Sequence, residues 1–279
     1  MRVGIGLPTT TPGATGSLLL DWARRADEGP FASLGTLDRV VYRSFDPLAA
    51  LAAAAAVTRR VELVTMIVIA PIRDAATLAK QAASLHSLSG GRLTVGLATG
   101  ARPDDYAATG SDLRTRGARF DDQLEAIRLA WEDAAVVPSL VRVPKILVGG
   151  LTGRSLARMA AAADGYVHGG GPPRAFAGAA ARALAAWIDL DRPGVPELYG
   201  QAYFALGSAD DVERGAAYLR DYYAFTGPFA EKVAAANLTT PAAVRDLVRG
   251  YEEAGCDELV LLPTVSSPDQ LDRLADVLA

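Results

Sequence analysis

The feature that most constrains this chain is a rhythm: from end to end, short β-branched runs alternate with longer segments rich in Ala, Leu and Arg. Such alternation makes βαβ units, in which helices cover a parallel sheet. Strands are predicted at Val3–Gly6, Leu34–Leu37, Val61–Val68, Leu93–Leu97, Ile146–Val148, Gly165–His168, Tyr199–Leu206 and Glu258–Leu262. The helices between them open on residues that cap free N–H groups: Ser17, Asp46 before Pro47, Asp74, Thr152, Ser208, Thr240 before Pro241, and Ser267 before Pro268. One βα unit repeated through 279 residues fits a closed (β/α)8 TIM barrel, which takes about 250 residues. Two doubly wound halves would need a linker, and none is visible. Residues 1–279 are therefore read as one barrel domain. Pro138–Pro144 reads as a proline-bounded loop and Thr226–Asn237 as an extra helix, neither marking a domain boundary.

Composition narrows the function. A net charge of -4 argues against nucleic acid, which is met by clustered excess Lys and Arg, and favours a small-molecule substrate. With Cys256, His86 and His168 as the whole cysteine and histidine complement, neither a disulfide framework nor a zinc site can be assembled. The chain begins directly with strand-like residues, without the features of a secretory signal. Its apolar runs Leu48–Val57 and Val64–Pro71 fall short of the about 20 residues that cross a bilayer. The expectation is a soluble protein of a reducing cytoplasm, with no membrane or nucleic-acid partner.

In a barrel of this kind the chemistry sits just after each strand, at the C-terminal mouth. Asp38 and Arg39 follow the second strand; Asp38 could serve a substrate or coenzyme, or close an Asx turn. The third strand, Leu63 to Pro71, is apolar almost throughout, as a strand buried on both faces should be, and Arg73 beyond it could meet an anion or face solvent. Gly90 and Gly91 turn the chain at the opposite, stabilising pole. Thr99 and Gly100 face the mouth, where a glycine lets a flat ring come close. Gly149-Gly150-Leu151-Thr152-Gly153 runs from strand into helix, and exposed N–H groups with the helix dipole make that junction a natural phosphate site. Its spacing is not the Rossmann G-x-G-x-x-G, and a plain tight turn is the alternative. His168-Gly169-Gly170-Gly171 could supply the opposite wall, with His168 either a site group or a packed one. Tyr42, Tyr106, Tyr222 and Tyr223 could line a substrate pocket or simply pack.

The segment Leu88-Ser89-Gly90-Gly91-Arg92-Leu93-Thr94-Val95-Gly96-Leu97-Ala98-Thr99-Gly100, with Pro103-Asp104-Asp105-Tyr106 and Arg116 to Asp121, resembles the luciferase-like monooxygenase superfamily. The likeness continues through Asp46-Pro47-Leu48, Arg60 to Leu63, Pro144 to Gly150 and Ala163 to Tyr166, and so covers most of the chain. It implies a (β/α)8 barrel that uses either reduced FMN with oxygen or the reduced deazaflavin coenzyme F-420 without it. The compact Gly90–Asp121 pattern is more similar to the deazaflavin branch. By the resemblance, Asp38 matches an acidic residue beside the coenzyme ring, and Arg39 departs from the histidine common in the sugar-phosphate dehydrogenases. Thr65, Met66 and Ile67 match a bulge that backs the ring, with a non-prolyl cis bond at Met66-Ile67. Gly149, Gly150, Leu151 and Thr152 match the phosphate loop, with Gly169 and Gly170 opposite. Ala101 stands where the sugar-phosphate dehydrogenases carry a catalytic Glu, which argues against that activity.

The leading expectation is hydride transfer from a reduced deazaflavin to a small organic acceptor, with the coenzyme carrying the chemistry and the protein binding and orienting it. An FMN monooxygenase fed by a partner reductase is the second reading. A barrel lyase or isomerase acting on a phosphorylated substrate is the third, opposed by the absence of a strand-end lysine among Lys80, Lys145 and Lys232. A coenzyme-binding protein without turnover is the fourth. A homodimer is left open.

Overall fold

A computed structural model describes residues 1–133, 135–138 and 142–279. The strands are β1 (Arg2–Gly6), β2 (Ser33–Thr36), β3 (Glu62–Thr65), β4 (Val68–Ile69), β5 (Leu93–Ala98), β6 (Lys145–Gly149), β7 (Gly165–His168), β8 (Glu197–Phe204) and β9 (Glu258–Pro263). They pair in parallel in the order β3-β2-β1-β9-β8-β7-β6-β5-β4, and a β3–β5 pairing closes the ring. Because β3 and β4 are two halves of one barrel strand, the result is a (β/α)8 TIM barrel, as expected. The helices are α1 (Gly16–Glu28), α2 (Pro47–Val57), α3 (Ala75–Leu88), α4 (Pro103–Ala108), α5 (Arg116–Glu132), α6 (Gly153–Ala162), α7 (Pro173–Asp189), α8 (Ala209–Tyr222), α9 (Phe229–Ala235), α10 (Pro241–Glu253) and α11 (Asp269–Leu278).

Two cores follow from the period-2 alternation of the strands. Outward residues such as Ile5, Leu34, Leu63, Val95, Ile146 and Leu259 pack with Trp22, Phe120 and Phe176 of the helices. Inward residues, among them Val64, Met66, Leu147, Val167, Tyr203 and Val260, fill the barrel itself. Burial on both sides explains why the strands read as continuous apolar runs.

Most of the predicted caps form. Asp46 accepts from the N–H groups of Leu48 and Ala49 at 3.0 and 2.9 Å, Asp74 from Thr77 at 2.8 Å and Thr240 from Ala243 at 3.2 Å. Thr152 and Ser208 each form a reciprocal capping box. Two helix starts differ from expectation. Thr15, not Ser17, caps α1 by accepting from Leu18, which leaves Ser17 inside the first turn. At α11 neither Ser267 nor Pro268 supplies a side-chain cap; the Ser267 carbonyl accepts from the Gln270 N–H instead. The extra helix is α9, shorter than the Thr226–Asn237 span. Residues 139–141 of the Pro138–Pro144 loop lie outside the described residues. Among the described residues, no helix is long and apolar enough to cross a membrane, and no His, Cys, Asp and Glu cluster could hold a metal ion.

The N-terminal pole carries a buried charge. Glu258, fully buried on β9, meets Arg2 Nη2 at 2.7 Å, and Arg2 also donates to the Tyr199 hydroxyl at 2.8 Å. Burial pushes the Glu258 carboxyl above its ordinary value, against the pull of Ser33 and Arg2. A carboxyl raised by folding adds stability below its unfolded pKa and loses it as pH rises through the folded one. Because the partner guanidinium of Arg2 is half exposed and stays solvated without the pair, unlike a buried arginine, Glu258→Gln is expected to raise the melting temperature at neutral pH by on the order of 2 °C. The gain should shrink as pH falls through the folded pKa toward about pH 3, where the wild-type group is protonated in both states. Thermal melts across that range check this, and a variant that melts lower at neutral pH contradicts it.

Candidate active site

The third barrel strand breaks register at the mouth. Leu63 and Val64 pair with Leu93 and Thr94, then Val68 and Ile69 pair with Leu97 and Ala98, so one strand carries one residue more than its partner between these pairs. That surplus is a bulge. It lies at Met66–Ile67, whose peptide bond is cis, at the position the resemblance implies. The Thr65 hydroxyl donates to the Gly96 carbonyl at 2.8 Å, and the Met66 N–H donates to the Thr36 carbonyl at 2.7 Å. Two glycines make room: a Cβ on Gly96 would lie 2.2 Å from the Thr65 carbonyl oxygen, and one on Gly149 would lie 2.0 Å from Ile67 Cδ1. Gly149 thus serves the bulge directly, while Gly100, at φ +65°, packs against Ile69 on the next strand.

Asp38 is tied to this bulge. Its carboxylate accepts from the Ile69 N–H at 2.9 Å and from Arg73 Nη2 at 2.8 and 2.9 Å, and its side chain is 1% exposed. Burial pushes the Asp38 carboxyl up, against the pull of Arg73 and the Ile69 N–H. Burial also weighs against the Arg73 cation, yet Asp38 beside it holds the guanidinium protonated. With both donors in contact the pair is ionised. Arg73, which the sequence leaves between anion ligand and solvent-facing residue, is the partner that fixes Asp38.

Arg39 and Arg102 form a second cluster. Arg39 donates to Asp104 at 3.0 Å and lies 4.6 Å from the Tyr42 ring centroid and 5.5 Å from that of Tyr222. The Arg102 guanidinium lies 4.5 Å from the Tyr222 centroid and 4.0 Å from that of Phe225. Asp105 spends one carboxylate oxygen on the Val40 and Val41 N–H groups, at 2.9 and 2.7 Å. No acceptor among the described residues bonds to Arg102, though the residue is only 7% exposed. Burial, with Arg39 nearby, lowers its pKa. Each cation–π contact returns about 0.5–2 kcal/mol, and the N–H donors of Arg102 are left without a protein partner. Arg102 is absent from the sequence-derived candidates, because its isolation depends on aromatic residues some 120 positions away.

The Gly149–Thr152 turn opens on a groove of about 790 Å³, lined by Thr99, Arg114, Arg116, Thr152, Arg154 and Arg158 among others. The N-termini of α5 and α6 both border it, and the first-turn N–H groups of a helix have no intrahelical partner. Thr152 caps α6, Gly153 leaves open space where a Cβ would stand, and Leu151 is exposed. The Gly150 carbonyl accepts from the Tyr166 hydroxyl at 2.7 Å. Arg158 is held by Asp121, while Arg114 is pinned to Asp112 near the surface.

Gly169 and Gly170 do not face this groove. With Gly171, Gln201, Tyr203, Tyr223 and Lys232 they line a separate, largely apolar pocket of about 420 Å³. The Tyr203 and Tyr223 hydroxyls are 2.7 Å apart, and burial raises both pKa values. His168 is a further departure. Val167 faces the barrel interior, so its neighbour His168 faces the helices, where it meets Tyr166 and Phe176 edge-on. Burial lowers its pKa and keeps it neutral. Of the other tyrosines, Tyr42 joins the arginine cluster, and Tyr106 donates to the Thr99 carbonyl. The structure therefore brings together Asp38, Thr65, Met66 and Ile67 at the bulge and Thr99 with Thr152 at the groove, and it sets His168, Gly169 and Gly170 apart.

Comparison with known proteins gives the following. The family model described as luciferase-like monooxygenase matches residues 1–254. The uncharacterised protein Rv0940c of Mycobacterium tuberculosis is 38% identical over 136 residues, 44% of this chain and 47% of that protein. Rv0953c of the same organism is 38% identical over 89 residues, 32% of each chain. The chain thus spans less than half the length of these curated relatives. Among solved structures, the monooxygenase RslO1 from Streptomyces bottropensis has a TM-score of 0.79 at 22% identity, covering 100% of this chain and 97% of that one. An F-420-dependent secondary alcohol dehydrogenase, in complex with an F-420–acetone adduct, has a TM-score of 0.84 at 16% identity, covering 99% and 97%. EDTA monooxygenase (EmoA) from Chelativorans sp. BNC1 has a TM-score of 0.77 at 16% identity, covering 100% and 92%. At these identities the structural likeness speaks to fold alone.

Proposed function

The chain belongs to the luciferase-like monooxygenase family, and from that premise we propose that it is an oxidoreductase passing a hydride between the reduced deazaflavin coenzyme F-420 and a small organic substrate. The observation that carries this reading is the run of surfaces around the mouth: an apolar bulge at Met66–Ile67, then the Gly149–Thr152 turn with Thr99 beside it, then an arginine groove. A flat ring fits the first, a phosphate the second, and an acidic side chain continuing past the phosphate the third. FMN ends at its phosphate and would leave the arginines beyond the turn without a role. The open space at Gly153 and the two converging helix N-termini suit an anion close to the backbone.

The coenzyme, when bound, supplies the hydride. The rest falls to the chain's own residues. Asp38 and Arg73 hold the bulge in place, so Asp38 is a positioning residue and not the acid or base that the sequence leaves open. Tyr203 and Tyr223, kept protonated by burial, are the groups placed to give a proton to the substrate. Asp38 is taken up by Arg73 and the Ile69 N–H, and we assign that work to the hydroxyls of the Tyr203–Tyr223 pair, which line the neighbouring pocket. A reductase that renews the reduced coenzyme is part of the same reading.

Gly150 tests the phosphate turn. Its φ is +142°, and a Cβ there would stand 2.7 Å from both Cβ and Oγ of Ser155, inside the capping box that shapes the turn. Gly150→Val is expected to weaken F-420 binding at least tenfold, about 1.4 kcal/mol, measured by calorimetry on protein whose melt confirms folding. Unchanged affinity would remove the turn from the coenzyme site. Activity itself is tested anaerobically: reduced F-420 should be reoxidised when a panel of small carbonyl and imine acceptors is offered. No reoxidation with any acceptor, by protein that binds the coenzyme, would favour a binder without turnover.

A further inference from the structure

We infer that Arg102, supported by Arg39, is a carboxylate-binding site for the substrate, so that the acceptor is a small organic acid. The inference rests on reading the mouth as a redox site. The Arg102 guanidinium has its surroundings fixed by two aromatic rings, Tyr222 at 4.5 Å and Phe225 at 4.0 Å. What remains is its rim of N–H donors, and these bond to no acceptor among the described residues. Of the neighbouring carboxylates, Asp104 accepts from Arg39, and Asp105 holds the Val40 and Val41 N–H groups through Oδ1 while its Oδ2 has no partner and lies too far from Arg102 to bond to it. Arg39 Nε is itself buried without a partner, so neither guanidinium has all its donors satisfied by the described residues.

A planar fork of donors stacked on rings and left without a protein acceptor matches a planar carboxylate better than any other common anion. Phosphate has a different address, the arginine groove at Thr152, lined by none of the residues named here. Of the rings beside the guanidinium, Phe225 is exposed and gives an apolar surface on which the carbon skeleton of an acid can lie. The carboxylate could belong to the substrate or to the coenzyme's own side chain, and the experiment separates the two.

Benzoate and phenylacetate, each paired with its amide, are titrated calorimetrically into the full chain, without coenzyme and with saturating F-420. The acids are expected to bind at least tenfold more tightly than the amides, with F-420 present or absent. Arg102→Gln should bring the acids down to the level of the amides while leaving F-420 affinity unchanged, and Arg102→Lys should restore only part of the difference. Acids and amides binding alike to the wild type would overturn the site, and that arm decides the matter even if Arg102→Gln fails to fold. A folded Arg102→Gln protein that keeps acid binding, or one that loses F-420 affinity instead, would overturn it as well. Failure of F-420 to bind, with the acids still preferred, would leave the carboxylate site standing and remove the coenzyme reading alone.

Discussion

Asp38→Asn is expected to cost the fold about 3–5 kcal/mol, the range for breaking one side of a buried ion pair. The carboxylate is almost wholly enclosed, and it is the acceptor for both Arg73 and the Ile69 N–H. The amide can still accept from Ile69, but it leaves the half-buried guanidinium with only the 3.3 Å contact to Asp46. Arg73→Gln should be comparably damaging, and the double variant should lose far less than the sum of the two, because the residues form one unit. Chemical denaturation of the three variants checks this. If the losses add, Asp38 and Arg73 act independently and do not anchor the bulge as a pair. Turnover should fall in Asp38→Asn, but with its pH profile unchanged, since a positioning residue gives up no proton.

This pair marks the boundary of what the sequence reveals. The barrel and most helix starts are legible because they are written locally: a cap bonds three residues ahead, and strands alternate with period 2. Asp46, Asp74, Thr152 and Ser208 are recognisable for that reason. Asp38 is legible as a mouth residue, yet its role depends on Arg73, 35 positions on, and only closure of the barrel brings the two together. Arg102 and Tyr222 are farther apart still, and nothing local marks either. His168 is a different kind of miss. Its orientation follows from parity with Val167, so a strict count of alternation along β7 is enough to turn it toward the helices. Gly169 and Gly170 match the Gly149–Thr152 turn in composition, whereas their place in the ring gives them to another pocket. The bulge at Met66–Ile67 is visible through family resemblance alone, since an apolar strand with a bulge and one without look the same in sequence.

Tyr223→Phe is the second large effect, a fall in turnover of about 10², the lower end for losing a positioned proton donor. Between two hydroxyls 2.7 Å apart one proton is shared along the O···O line, and the other O–H is free to point into the pocket. Burial keeps both groups protonated, as donation to a substrate requires. The phenyl ring preserves the packing against Tyr222 and Phe225 and removes the hydroxyl alone. F-420 affinity should therefore hold while kcat drops. Wild-type kcat in Tyr223→Phe would assign the tyrosine pair to packing and leave the proton donor unassigned.

Parallel fluorescence-quenching titrations with F-420 and with FMN test most directly whether the barrel mouth takes the proposed deazaflavin. Saturable quenching is expected with F-420, at an affinity at least tenfold above that for FMN, the difference coming from contacts past the phosphate in the arginine groove. Equal or tighter binding of FMN would contradict the deazaflavin assignment, and no binding of either would contradict the coenzyme site itself.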